Sequence, residues 1–459
     1  MHSSPCCPLD VFGYNSEVVK RENICIISLG CPKNLVDSEV MLGLVAEKGY
    51  GIATDPADAE IIAINTCSFI EGATQEAVDT ILEAVDLKRS GSCRLLIVTG
   101  CLVQRYGRTL AREMPEVDFF LGTDEFPRIV EYLEGDFEQE ERVAVRRTSF
   151  LYDDETPRLL SRPAWSAYIK IAEGCSRTCS FCVVPSLRGR FRSRSIGSVC
   201  REASHLVDLG AKEINLVAQD TTSYGLDLGD GTNLTALLER LRQIQSLEWI
   251  RILYAYPEHI DTQLLQLIGG SESICKYVDL PIQHVNLEIL RAMGRPVSRG
   301  FLENLIWRIR EEVPGVCLRT TLLVGFPGET AAQFSELFEF VEKVRFDRLG
   351  VFEYSREEGT RAARMRNQIP RHVKKRRFKR LMELQQRISL EHNRGLIGEK
   401  VVVLIEERLE DATFKGRMAT QAPDVDGHVT IAGGRAQPGE MVDVLITKAH
   451  PYDLEGEIV

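Results

Sequence analysis

The chain has 459 residues, 44% of them apolar and 27% charged, with a formal net charge of −11. That balance belongs to a soluble globular protein of two to four domains. No apolar run reaches the roughly 18 residues that cross a bilayer, so a membrane protein is excluded. The chain has thirteen cysteines, and residues 1–23 lack a basic region leading into an apolar core. A cytoplasmic protein is therefore expected, with thiols that ligate metal rather than form disulfides.

Residues 1–22 read as a flexible tail, and Cys6 and Cys7 within it carry no interpretation. A first domain is expected over 23–140, where short β-rich runs alternate with helical patterns and predict βαβ units in an open parallel sheet. The candidate strands are 23–29, 60–65, 94–99 and 117–121. Cys31, Cys67 and Cys101 each follow one of the first three within two residues. Their separations of 36 and 34 residues match one βαβ repeat. The carboxyl ends of parallel strands share one edge of such a sheet, so the three thiols should converge. Gly30 and Gly100 precede two of them and would admit close approach of a bulky cofactor. Cys25, Cys93, Cys200, Cys275 and Cys317 read as buried core thiols.

A second domain is expected over 160–392. Its first apolar run, 167–172, leads directly into Cys175, Cys179 and Cys182, a CxxxCxxC triplet on one tight loop. Structural zinc sites pair two CxxC knuckles, and no second pair follows here. A redox CxxC over Cys179 and Cys182 would leave Cys175 unexplained. Iron–sulfur cubes normally take four thiolates, so a triplet with no fourth cysteine nearby points to a cluster with one iron left open for chemistry.

Further strand-like runs at 213–220, 249–256, 277–284, 318–326 and 348–354 complete six βα units. They suit a partial, open (βα)6 barrel with functional groups at the strands' carboxyl ends. Gln219 and Asp220 end the second strand. His284 ends the fourth and reads first as a hydrogen-bonded structural histidine, with a proton shuttle as the sharper alternative. Glu329 follows the fifth and is placed to cap the next helix. A long helix is predicted over 371–396 with a very basic start, either a solvated linker or an RNA contact. Over 393–459, β runs at 400–406, 413–419, 428–431 and 441–449, separated by turn residues, predict a small β-barrel.

The triplet with Phe181 before its last cysteine resembles the signature of the radical S-adenosylmethionine (SAM) superfamily. The resemblance implies that the open iron binds SAM and that an electron cleaves it to a 5′-deoxyadenosyl radical. It also implies that Phe181 packs near the adenine and that Gln219 meets the amino end of SAM. Two triplets in this order, one dispersed and one compact, resemble the methylthiotransferases from about residue 23 to the C-terminus. That family implies two [4Fe-4S] clusters, on Cys31, Cys67 and Cys101 and on Cys175, Cys179 and Cys182, the first carrying the sulfur to be transferred. The C-terminal barrel is similar to a TRAM domain, which in relatives binds transfer RNA.

Electrostatics and motifs choose between branches of that family. Residues 397–459 hold six Lys or Arg against twelve Asp or Glu, too acidic for a polyanion and suited to a basic partner. Residues 28–39 and 219–225 are similar to the branch that modifies ribosomal protein. The resemblance implies β-methylthiolation of an aspartate in small-subunit ribosomal protein twelve by a monomer that draws on an electron donor such as a flavodoxin, with RNA contact the less favoured reading. The alternatives are a transfer-RNA adenosine methylthiotransferase of the MiaB type and a non-enzymatic iron–sulfur RNA-binding or electron-transfer protein. One departure from the family pattern is Ser195, where relatives commonly have proline at a helix start.

Overall fold

The structure, a computed structural model, describes residues 22–135, 142–409 and 412–459. Cys6 and Cys7 lie outside the described residues. The chain divides into two compact units. The first holds residues up to 163 with 168–177 and 182–202, and the second holds 164–167, 178–181 and 203–459. Among the described residues, no helix is long and apolar enough to cross a membrane.

The first unit is built on six strands: β1 (Asn23–Ser28), β2 (Gly51–Ile52), β3 (Ile61–Thr66), β4 (Leu95–Gly100), β5 (Phe119–Leu121) and β6 (Val143–Ala144). They form one sheet in the order β2-β1-β3-β4-β5-β6, every neighbouring pair parallel. Helices α1 (Pro32–Glu47), α2 (Glu71–Ser90), α3 (Cys101–Glu113) and α4 (Ile129–Glu134) make the crossovers. All six residues of β3 are buried, as expected of a central parallel strand covered on both faces. Ile62, Ile64, Leu96 and Val98 pack there with Ala77 and Ile81 of α2 and Leu102 and Val103 of α3. The edge strands β2 and β6 escape sequence reading because two residues show no periodicity.

The chain continues through β7 (Ser166–Lys170), β8 (Ala172–Glu173), α5 (Val184–Arg188), β9 (Arg192–Ser193) and α6 (Ile196–Asp208). At the start of α6, the Ser195 hydroxyl accepts a hydrogen bond from the Ser198 amide at 3.2 Å. Serine thus supplies a side-chain cap at the helix start.

The second unit carries β10 (Glu213–Val217), α7 (Leu234–Leu241), β11 (Trp249–Ile252), α8 (Thr262–Gly270), β12 (Tyr277–Asp279), α9 (Leu287–Met293), α10 (Arg299–Glu312), β13 (Cys317–Val324), α11 (Ala331–Val344) and β14 (Arg348–Glu353). Strands β10 and β11 pair in parallel, with Ser166 and Ala167 at the start of β7 beside β10; β12, β13 and β14 form a second parallel set. These are the six βα units of the partial barrel. Cys25, Cys93, Cys275 and Cys317 are buried thiols, whereas Cys200 is partly exposed on α6 and corrects that expectation.

Helix α12 (Arg371–Arg394) follows. Its Gln385 amide donates to Phe346 O at 2.8 Å and its Asn393 amide to His450 O at 2.8 Å. Strands β15 (Lys400–Arg408), β16 (Thr413–Met418), β17 (Val429–Ala432), β18 (Met441–Ala449) and β19 (Leu454–Ile458) close a barrel in the order β15-β16-β17-β19-β18. Only β19 was not expected, since Leu454-Glu455-Gly456-Glu457-Ile458 is short and half charged.

A buried ion cluster joins this barrel to the β10–β11 sheet. Glu213 accepts from Arg251 Nε at 2.9 Å and from Arg417 of β16 at 2.6 Å, with Ser166 donating at 2.7 Å. Burial opposes the charge, but Arg417 and Arg251 hold the Glu213 carboxyl down to about 2. Its contribution is therefore fully present above the ordinary value of 4.5 and is lost as pH falls from there towards 2. Glu213→Gln is expected to cost about 3–5 kcal/mol at neutral pH, because two buried guanidiniums lose their counter-charge. Denaturant unfolding checks the loss, and a circular-dichroism acid titration should show the variant less sensitive than wild type over that window.

Candidate functional site

Strands β1, β3 and β4 are adjacent, and their register aligns Ser28 with Asn65 and Asn65 with Thr99. With neighbouring strands about 4.8 Å apart, the carboxyl ends of the outer two lie about 10 Å from each other. Cys31 is the N-cap of α1, Cys101 opens α3, and Cys67 follows β3 directly. Two of the three thiols thus sit at helix N-termini.

The structure brings these three thiols together. Burial, then the neighbouring charges of Cys31 and Cys101, push the Cys67 thiol up to about 12. Burial also raises Cys101, against the Arg188 guanidinium that hydrogen-bonds it. Three thiolates in mutual repulsion suit a site that a cationic centre would relieve. Among the described residues, no three His, Cys, Asp or Glu side chains crowd around the position of a single metal ion. A cubane asks for less, because each of its thiolates binds a different iron.

Gly30 and Gly100 also serve the packing of the turns themselves. A Cβ on Gly30, at φ +91°, would stand 2.5 Å from the Cys67 Cβ and 2.9 Å from its Sγ. On Gly100, at φ +97°, it would meet Asn65 Oδ1 at 2.4 Å and Thr66 O at 2.6 Å. Both glycines let the cysteine-bearing turns approach one another.

Asn34, one turn into α1, locks two of those turns by donating to Leu29 O and Thr66 O, each at 3.0 Å. Its own side-chain oxygen accepts from Arg188 Nη2. Arg188 Nη1 pairs with Asp37 at 2.6 Å and Glu173 at 3.3 Å, and Lys170 bonds both Asp37 and, at 2.7 Å, Glu173. Glu173 then accepts from the Gly174 amide at 2.9 Å, one residue before Cys175. Burial works against the Glu173 charge, yet Lys170 and Arg188 hold its carboxyl down to about 2. None of these four charged groups was singled out from the sequence, although a lysine inside the apolar run of β7 and an asparagine and an aspartate one turn apart on α1 were visible signals.

Cys175, Cys179 and Cys182 share one loop, and all three are partly exposed. The Cys175 amide donates to Gly189 O at 3.0 Å. In the second unit, Ser180 satisfies the end of α9 by donating to Met293 O and Ala292 O at 2.8 and 2.7 Å, which fixes Cys179 and the half-buried Phe181 beside it. Gln219 follows β10 and is half-buried. Asp220 turns away to accept from Thr222 and Ser223 at 3.0 and 2.7 Å, so it shapes the turn.

His284 is fully buried, its Nδ1 accepting from the Asn286 amide at 3.0 Å and its Nε2 lying 3.7 Å from Glu329. The contact at Nδ1 fits the structural reading. Glu329 bonds the Gly325 amide and Arg377, while Thr330 with Gln333 makes the capping box of α11. The capping expectation for Glu329 is thereby replaced.

Residues 23–122 match the uncharacterized protein family UPF0004, 169–341 the radical SAM superfamily and 397–459 the TRAM domain. The chain is 52% identical over 447 residues to ribosomal protein uS12 methylthiotransferase RimO of Geotalea uraniireducens, covering 96% of this chain and 99% of the relative. It is 52% identical over 442 residues to the protein of that name from Geobacter sulfurreducens, with the same coverage. In structure it is similar to the radical SAM methyltransferase TsrM of Kitasatospora setae, with a TM-score of 0.53 at 14% identity over 72% of this chain and 73% of that one. The cobalamin-dependent radical SAM enzyme OxsB gives 0.52 at 10% identity over 79% of this chain and 56% of its own.

Gly30→Ala is expected to force Cys67 away from Cys31. After anaerobic reconstitution, iron and sulfide analysis should find about half of the wild-type content, as for the triple alanine variant of Cys31, Cys67 and Cys101. Full iron content in Gly30→Ala would refute the packing role given to this glycine.

Proposed function

The chain belongs to the family of ribosomal protein uS12 methylthiotransferases, and from that premise we propose that it adds a methylthio group to the β-carbon of an aspartate in uS12 by radical SAM chemistry. The observation that carries this reading is the convergence of Cys31, Cys67 and Cys101 on one sheet edge, in a chain that also holds the CxxxCxxC loop. We assign the first three as ligands of one [4Fe-4S] cluster and Cys175, Cys179 and Cys182 as ligands of the other. When bound, the loop's cluster supplies the electron that cleaves SAM, and the dispersed site's cluster carries the sulfur that is transferred. A radical route fits the substrate, because an aspartate β-hydrogen is too weakly acidic for ordinary base chemistry.

The chain's own residues hold these groups in place. Asn34 fixes the turns of Cys31 and Cys67, and the Arg188 cation sits against Cys101. With SAM bound, Phe181 would lie near its adenine and Gln219 would meet its amino end. The acidic barrel, at six cations against twelve anions over 397–459, attracts a basic ribosomal protein. The functional divisions are 23–140 for the sulfur-carrying cluster, 160–392 for SAM cleavage and 393–459 for the barrel. A cytoplasmic monomer served by an electron donor such as a flavodoxin completes the reading. The relatives that match half the residues over nearly the whole chain bear the name of uS12 methylthiotransferases, which favours this reading over the transfer-RNA and non-enzymatic alternatives.

Reconstituted protein incubated with SAM, a reductant and uS12 should add the mass of one methylthio group to uS12 and release 5′-deoxyadenosine. Cys179→Ala should abolish both products. An unchanged uS12 mass, with SAM cleaved, would refute the substrate assignment.

A further inference from the structure

Residues 361–380 contain ten Lys or Arg and no Asp or Glu. The rest of the chain has 46 Lys or Arg against 67 Asp or Glu, a net charge of −21. So dense a concentration of positive charge in so acidic a protein requires a physical account.

Five of the ten cations have internal work: Lys379 faces Glu383 at 3.7 Å, Arg361 donates to Thr178 O, and three more are held by their neighbours. Lys374 donates to Tyr354 O at 2.6 Å, Arg377 pairs with Glu329 at 3.0 Å, and Arg380 lies over the Phe334 and Phe338 rings at 5.3 and 4.9 Å. Five others, Arg364, Arg366, Arg371, Lys375 and Arg376, are exposed, and none makes an ion pair among the described residues. Arg371, Lys375 and Lys379 recur every four residues along one face of α12.

Two local terms oppose this arrangement. Positive side chains crowd the positive end of the helix dipole, and the first turn holds no acidic residue to compensate. Like charges four residues apart repel as well. A row of phosphates laid along the face would reverse both terms, since it contributes negative charge to the helix N-terminus and separates the cations. The strip is also tied to the loop of Cys179, because Arg361 donates to Thr178 O and the Ala362 amide to Ser180 O at 2.9 Å.

We propose that the exposed cations of residues 361–379 form a docking strip for the phosphate backbone of ribosomal RNA, so that the enzyme engages uS12 while that protein is held on RNA. This deepens the function proposed above and rests on it. Free uS12, itself basic, would be repelled by the strip and attracted only by the acidic barrel. The RNA carrying uS12 has the complementary charge, and its phosphates would lie beside the loop that holds Cys179.

The test uses the reconstituted full-length protein and its Lys375→Glu/Arg376→Glu variant, with thermal unfolding to show that both fold alike. Binding of a fluorescein-labelled small-subunit ribosomal RNA fragment is read by anisotropy between about 50 and 200 mM salt. Wild type should bind with strong salt dependence. The variant should bind at least about tenfold more weakly, with a log–log salt slope shallower by about 1.4, the loss of two phosphate contacts. Lys375→Gln/Arg376→Gln should fall between them. Methylthiolation of free uS12 should be the same in all three, whereas modification of RNA-bound uS12 should drop in the variants.

Equal RNA binding by wild type and the charge-reversed variant would overturn the proposal. So would transfer RNA bound as tightly as the ribosomal fragment, or a flavodoxin whose binding is lost in the variant while RNA binding stays. Failure of wild type to modify uS12 in any form would instead overturn the function, and the anisotropy result would stand separately.

Discussion

The first unit is organised around four buried charges that alternate in sign: Asp37, Lys170, Glu173 and Arg188. Each cation touches both anions, so the group is neutral overall although every member lies away from water. Placing such ions in a protein interior costs several kcal/mol apiece, and hydrophobic replacements of similar volume often serve stability as well or better. What apolar side chains would not provide is direction. Each carboxylate takes hydrogen bonds from defined donors, so α1, the strand leading to Cys175 and α5 are held at one relative position. A shift by one residue in any of them would leave a buried charge unpaired.

That constraint reaches the cysteines through short bonds. Arg188 holds the side-chain oxygen of Asn34, Asn34 holds the carbonyls before Cys31 and Cys67, and Glu173 holds the amide before Cys175. Iron–sulfur ligands need such support, because a thiolate's orientation and the hydrogen bonds around it tune the metal centre. The glycine at position 30 plays the opposite part. It contributes no contact of its own and matters because any side chain there would occupy the space of Cys67.

The sheet edge was legible in the sequence because it depends on period. Strands recurring about every 35 residues, each ending at a cysteine, predict convergence from topology alone. The compact triplet was legible because its spacing is local. The ion cluster was not, since Asp37 and Lys170 lie 133 residues apart and each has an ordinary surface reading alone. Lys170 could still have been suspected: its neighbours Ile169 and Ile171 are apolar, and a lysine there must find a partner or leave the strand. Glu329 shows the converse error. Its place before a helix fits a capping role, yet Arg377, 48 residues on, claims its carboxylate and leaves the cap to Thr330 and Gln333.

Charge is distributed in the second unit in a way that separates two tasks. The C-terminal barrel has twice as many acidic as basic residues, and one of its six cations, Arg417, is buried against Glu213 and Glu406. The stretch through the start of α12 has the opposite sign, and among the described residues only two of its ten cations, Arg377 and Lys379, pair with carboxylates. Debye screening at physiological salt confines each field to about 8 Å, so neither cancels the other across the domain. A partner made only of basic protein would satisfy one of these surfaces, whereas a basic protein carried on RNA presents both signs together.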